Sequence, residues 1–240
     1  MADDTATAPR VRDALLTWLV AFGVSNIIGG IVLGATHHLG NDEPDPPIWM
    51  TALLQVPFWL VLVGGTVLFS RRKGTGDLGT DMRFRVERRD AAVGLPTGIL
   101  TQLIVVPLLY VPIFWLIGHK DLSDEAKHLT DQATGAGIAL LVLLVVIGAP
   151  IVEELFFRGF MMGALERTLQ TKVRRSKAWA LWISALFFGA VHFQPLQFPA
   201  LVVFGLVAGW LVQRYGRLGP SIFAHMGFNA VTIIILLSQR

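Results

Sequence analysis

Seven stretches of this chain are almost wholly apolar, and short polar segments separate them. The first, "ALLTWLVAFGVSNIIGGIVLGA", opens at Ala14, and the fourth contains "IALLVLLVVI" before it reaches "GAPIVEELFFRGF". Each run approaches the ~20 residues that a helix needs to cross a bilayer. The runs are continuous rather than alternating, which excludes the strands of a membrane barrel. The pattern predicts helices over 14–36, 49–70, 92–117, 136–165, 178–193, 197–213 and 219–238. The expected fold is therefore all-α: a polytopic transmembrane helix bundle of about seven spans, forming a single integral membrane domain over 1–240. No internal repeat and no low-complexity tract interrupts it.

Composition points the same way. Hydrophobic residues make up 53% of the chain and charged residues 15%, against about 25% charged in a soluble domain. There is no cysteine, which excludes disulfides, thiolate metal ligands and a cysteine nucleophile. The first apolar run is too long for the core of a signal peptide, so it is expected to stay as a span.

The net charge of +3 and pI near 9.6 raise the question of nucleic acid, but the placement of the basic residues answers it. Sixteen of the twenty Lys and Arg fall in alternate segments: ahead of the first span, and between spans two and three, four and five, and six and seven. Of the other four, Lys120, Lys127 and Arg240 lie in the opposite segments and Arg158 inside a span, while one opposite loop is the acidic "NDEPDPP". By the positive-inside rule the N-terminus is cytoplasmic and the C-terminus outside. The partner implied is the lipid bilayer of the cell (plasma) membrane, crossed many times, and not nucleic acid. Trp49, Trp115, Trp179 and Trp210 near the span ends are expected to be interfacial anchors. His37, His38, His119 and His128 fall in the predicted outer loops as solvated side chains.

The fourth span places Glu153, Glu154 and Arg158 where an ionisable group costs ~2.5–3.5 kcal/mol or more. Glu154 and Arg158 stand four residues apart, share a face and are expected to pair in mutual support. Glu153 is turned about 100° from Glu154 and is left to face something else. Later spans supply His192, and then His225 with Asn229 one turn on. Counting the rise along each helix from its basic end allows all four of these side chains to meet within the membrane.

A glutamate and histidines in a dry pocket can activate water, and Asn and His can donate to the oxyanion of a tetrahedral intermediate. Glu153, His192 and His225 could equally be three ligands of a catalytic zinc with water in the fourth position. The sequence leaves both open. No HExxH, intramembrane GxGD or GxSG is present, and Ser221, which shares a face with His225, lacks any serine-protease setting.

Three motifs now stand in order on three spans: EExxxR (Glu153–Arg158), FxxxH (Phe188–His192) and HxxxN (His225–Asn229). Over about 136–238 the chain resembles the CPBP family of intramembrane proteases, the CAAX-endoprotease and bacteriocin-processing group also called Abi. The resemblance implies an endopeptidase acting on a membrane-associated protein or peptide, in one branch a prenylated tail. Glu153 and His192 would activate water, His225 and Asn229 would stabilise the oxyanion, and Glu154 and Arg158 would support them. The family has been described both as a metalloprotease and as a metal-independent glutamate protease. Two other classes compete: a non-catalytic immunity or scaffold protein, against which the intact motif residues count, and a proton-coupled transporter, whose paired repeats are missing. The motif helices end at the cytoplasmic side, which favours substrate entry from that side or from the lipid.

Overall fold

A computed structural model describes residues 8–38, 46–118, 120, 127 and 130–239, and His119 and His128 lie outside them. Eight helices are used below: α1 Val11–Ala35, α2 Ile48–Lys73, the short α3 Leu78–Asp81, α4 Arg88–Ile117, α5 Ala136–Leu169, α6 Ser176–Ala190, α7 Phe198–Tyr215 and α8 Gly219–Ser238. No strand occurs among the described residues. All but α3 correspond to the seven predicted spans, and six are long and apolar enough to cross a membrane. The exception is α6, whose 15 residues rise about 22 Å. It stops at Ala190, and a turn over 191–197 leads back into α7.

The outer surface is as apolar as the core. Leu19, Ile27 and Ile31 on α1, Leu60 on α2, and Leu108 and Trp115 on α4 are all exposed. In water such faces would drive aggregation, whereas hydrocarbon solvates them without cost. Trp49, Trp115, Trp179 and Trp210 are all exposed near helix ends, as anchors would be. The chain is a multi-pass integral membrane protein.

One end of the bundle gathers the basic segments and is closed by ion pairs. Lys73 Nζ stands 2.7 Å from the Asp13 carboxylate, tying the end of α2 to the start of α1. Arg83 pairs with Glu166 near the end of α5. Arg217 donates from Nη2 to Asp90 at 2.6 Å, which ties the α7–α8 turn to the start of α4. In the α2–α4 connection, burial raises the Asp81 carboxyl. Hydrogen bonds from Ser70, Thr75 and Gly76 outweigh that and hold it below the usual range.

The α4–α8 pair is the closest in the bundle because glycines line it. A Cβ on Gly98 would stand 1.8 Å from the Ala224 carbonyl oxygen, one on Gly94 2.4 Å from the Pro220 oxygen, and one on Gly227 2.6 Å from the Leu95 oxygen. Gly94 and Gly98 form the GxxxG spacing that lets membrane helices approach backbone to backbone. This contact sets the position of α8, which carries His225 and Asn229. Gly98→Ala is expected to lower stability by about 1–3 kcal/mol, the usual cost of overpacking. Thermal unfolding in detergent would show it as a fall in midpoint relative to Gly64→Ala, where the added methyl meets nothing within 4 Å.

Candidate active site

The site is built on irregularities in α5. The helix widens to π-helical turns over Val142–Gly148 and again over Glu154–Met161. In the first of these, the Ala149 N–H reaches back five residues to the Leu144 carbonyl. The next residue in that register is Pro150, which has no N–H to give. The Val145 carbonyl is thus free of its helical donor, and Asn229 of α8 donates to it from Nδ2 at 2.8 Å. Such π-turns recur at functional sites, and here the turn orients Asn229 while leaving its second amide hydrogen unused.

Glu154 is fully buried beneath this level. Its Oε1 lies 3.1 Å from Arg158 Nη1, the expected pair, but without the angle of a hydrogen bond, since neither Arg158 Nη atom has a hydrogen-bond partner. The guanidinium is held instead by rings: it lies 4.2 Å from the centroid of Phe188, with Phe157 and Phe204 within 6 Å. Stacking of this kind suits the flat, weakly hydrated arginine head and would not suit lysine. Glu154 Oε1 also accepts a hydrogen bond from His225 Nδ1 at 3.0 Å. The sequence assigned Glu154 to Arg158 alone; its second role, orienting a site histidine, depends on which helix faces it.

Glu153 turns the other way, as its position predicts. Its Oε2 lies 3.9 Å from His192 Nε2 and 3.9 Å from His225 Nε2. His192 Nδ1 is bonded to the Phe188 carbonyl at 2.6 Å. A carbonyl only accepts, so His192 Nδ1 carries the proton and its Nε2 lone pair is left toward Glu153. The same argument places the His225 proton on Nδ1, against Glu154. Glu153, His192, His225 and Asn229 all line one cavity of about 310 Å³. All four predicted site residues are brought together, with Glu154 and Arg158 directly beneath. The Ser221 hydroxyl donates to the Leu218 carbonyl rather than to His225.

The fit of a metal was tested on the same atoms. One carboxylate and two unprotonated imidazole nitrogens are a donor set that zinc accepts. Ligands sharing one tetrahedral zinc at ~2.0–2.1 Å stand about 3.3 Å apart, closer than the 3.9 Å found here. Among the described residues no three His, Asp or Glu are grouped to hold an ion. As placed, the side chains do not fit a metal.

A helical membrane bundle with a carboxylate and two histidines facing one cavity defines the class as a multi-pass membrane protein with a polar site inside the bundle. Comparison with known proteins narrows it. Residues 135–231 match the family model described as "Type II CAAX prenyl endopeptidase Rce1-like". Over 125 residues the chain is 31% identical to the Bacillus subtilis (strain 168) protein named "Putative membrane peptidase YdiL", which covers 52% of this chain and 48% of that protein. The matched part thus spans about half the length of that curated relative. No solved structure matches the chain. Over residues 135–231 the chain is thus similar to the CAAX-type membrane peptidases.

Proposed function

We propose that the chain is an intramembrane endopeptidase that hydrolyses a peptide bond of a membrane-associated protein or peptide. The observation that carries this reading is Glu153 Oε2, equidistant from the two Nε2 atoms inside the cavity. A gap of 3.9 Å is too long for a direct hydrogen bond and is the span that one water bonded to both sides would bridge. Glu153 takes a proton from that water while His192 Nε2 orients it, and the water oxygen adds to the substrate carbonyl carbon. Asn229 offers its unused amide hydrogen to the resulting oxyanion. His225, fixed by its Nδ1–H bond to Glu154, flanks the oxyanion beside Asn229. Glu153 then returns its proton to the leaving amide nitrogen as the C–N bond breaks, releasing a carboxylic acid and an amine, which exchange the remaining proton in water. One oxyanion donor of this kind is worth ~10²–10³ in rate.

A prenylated tail is one candidate substrate class, brought in by the family match alone. Zinc on Glu153, His192 and His225 is the alternative arrangement; it would lower the pKa of a bound water, and it requires those side chains to close inward. The test compares new peptide termini in membranes that hold equal amounts of wild type or His192→Ala. His192 lies in the turn after α6 and hydrogen-bonds only the Phe188 carbonyl of that helix, so its loss spares the fold. Termini found only with wild type are the expected result; identical profiles would remove the peptidase reading. Repeating the assay with a chelator decides the metal: cleavage should persist, and its loss with recovery on added zinc would establish the zinc arrangement.

A further inference from the structure

The cavity is not placed symmetrically in the bundle. Every residue of α5 from Glu154 to Glu166 is buried, whereas from Ala136 to Glu153 only Leu141 and Pro150 are. The buried half runs toward the basic end. There Phe156, Phe157, Phe160, Met161 and Met162 fill the space beneath the site. The connection from α3 to α4 completes the plug, since Met82 is fully buried and its carbonyl would stand 2.8 Å from a Cβ on Gly159. Interiors packed in this way hold few voids larger than a water.

On the other side the walls continue upward from Glu153. Along α2 they run through Trp59, Gln55 and Thr51 to Ile48, and along α8 through Asn229 to Thr232 and Ile233. On α5 they run back to Leu141, and the short α6 ends at the turn that contributes Gln194 and Gln197. All of these positions approach the helix ends opposite to the basic ones. Non-helical backbone at membrane depth is tolerated where it lines a hydrated cavity, and the turn over 191–197 sits in that position. Of the two routes that the sequence favours, the cytoplasmic side and the lipid, the first meets the plug: the motif helices do end at the basic face, but their lower turns are packed.

The basic end is cytoplasmic by the charge rule. Building on the peptidase reading, we infer that the site is served from the extracytoplasmic face, and that its substrate is an uncharged polypeptide segment presented at the outer leaflet. The walls carry Thr51, Gln55, Gln194, Gln197 and Thr232, and among the described residues no charged side chain lines the cavity except Glu153. Amides and hydroxyls of this kind can donate to and accept from an extended peptide backbone, whereas a charged side chain would enter the cavity without a counter-ion.

The natural chain has no cysteine, so single introduced thiols report alone. Gln194→Cys and Thr51→Cys would be treated with a membrane-impermeant maleimide in intact spheroplasts and again after permeabilisation. Ser238→Cys and Lys172→Cys, both exposed and at opposite ends, serve as markers. The two cavity thiols and Ser238→Cys should label in intact spheroplasts, and Lys172→Cys only after permeabilisation. Cavity thiols that label only after permeabilisation, or not at all, would overturn the inference, as would Lys172→Cys labelling from outside. Labelling needs no turnover, so a failure here leaves the peptidase reading standing, and a failure of cleavage leaves the labelling result intact.

Discussion

Glu153→Gln is expected to reduce cleavage by about 10²–10⁴-fold, the contribution of a positioned general base, with no change in the amount of protein in the membrane. The structural reason for the separation is that Glu153 holds nothing up. Its nearest ionisable neighbours are two imidazole nitrogens at 3.9 Å, beyond direct hydrogen-bonding reach. Glutamine keeps the shape and loses the ability to accept and return a proton. The readout is the yield of the wild-type-specific termini at matched abundance, together with the thermal unfolding midpoint. A midpoint that falls as far as activity does would mean that Glu153 is structural.

Arg158→Met should behave in the opposite way, costing about 3–5 kcal/mol of stability, as removal of one partner from a buried pair does. The arginine is 1% exposed and Glu154 0%. Without the guanidinium, the buried Glu154 loses its cationic partner, and the three phenylalanine rings lose the cation they surround. Accumulation in the membrane and resistance to added protease are the measurements. Arg158→Lys should recover only part of the loss, because the ammonium can approach Glu154 but cannot stack flat on Phe188. Full recovery with lysine would show that charge alone is needed.

The contrast between these two residues was legible before any coordinates, because helix geometry turns Glu153 and Glu154 to different faces whatever surrounds them. Membrane spans are legible for a similar reason: hydrocarbon leaves a chain few ways to satisfy its backbone. What could not be read was which neighbour each face would meet. The Glu154–His225 hydrogen bond and the Asn229–Val145 hydrogen bond both join α5 to α8, and nothing in the spacing of either helix specifies that contact. A signal for it did exist in the GxxxG of Gly94 and Gly98, which seats α8 on α4. Depth counting located the meeting point of the four side chains. It could not show that the turns below Glu153 would be packed solid and those above it open, since burial depends on all the helices at once. The end of α6 was marked in the sequence by Gln194 and Pro195, and the predicted span stops at 193, three residues beyond the last helical residue, Ala190.

That short helix has a consequence for the surrounding lipid. A wall of about 22 Å faces hydrocarbon that is ~30 Å thick, and a bilayer meeting such a mismatch must thin or admit solvent at that flank. Hydrolysis consumes one water per bond, in the medium where water is scarcest. On the peptidase reading, a bilayer that thins at α6 shortens the path of that water, because the aqueous boundary then comes down toward His192.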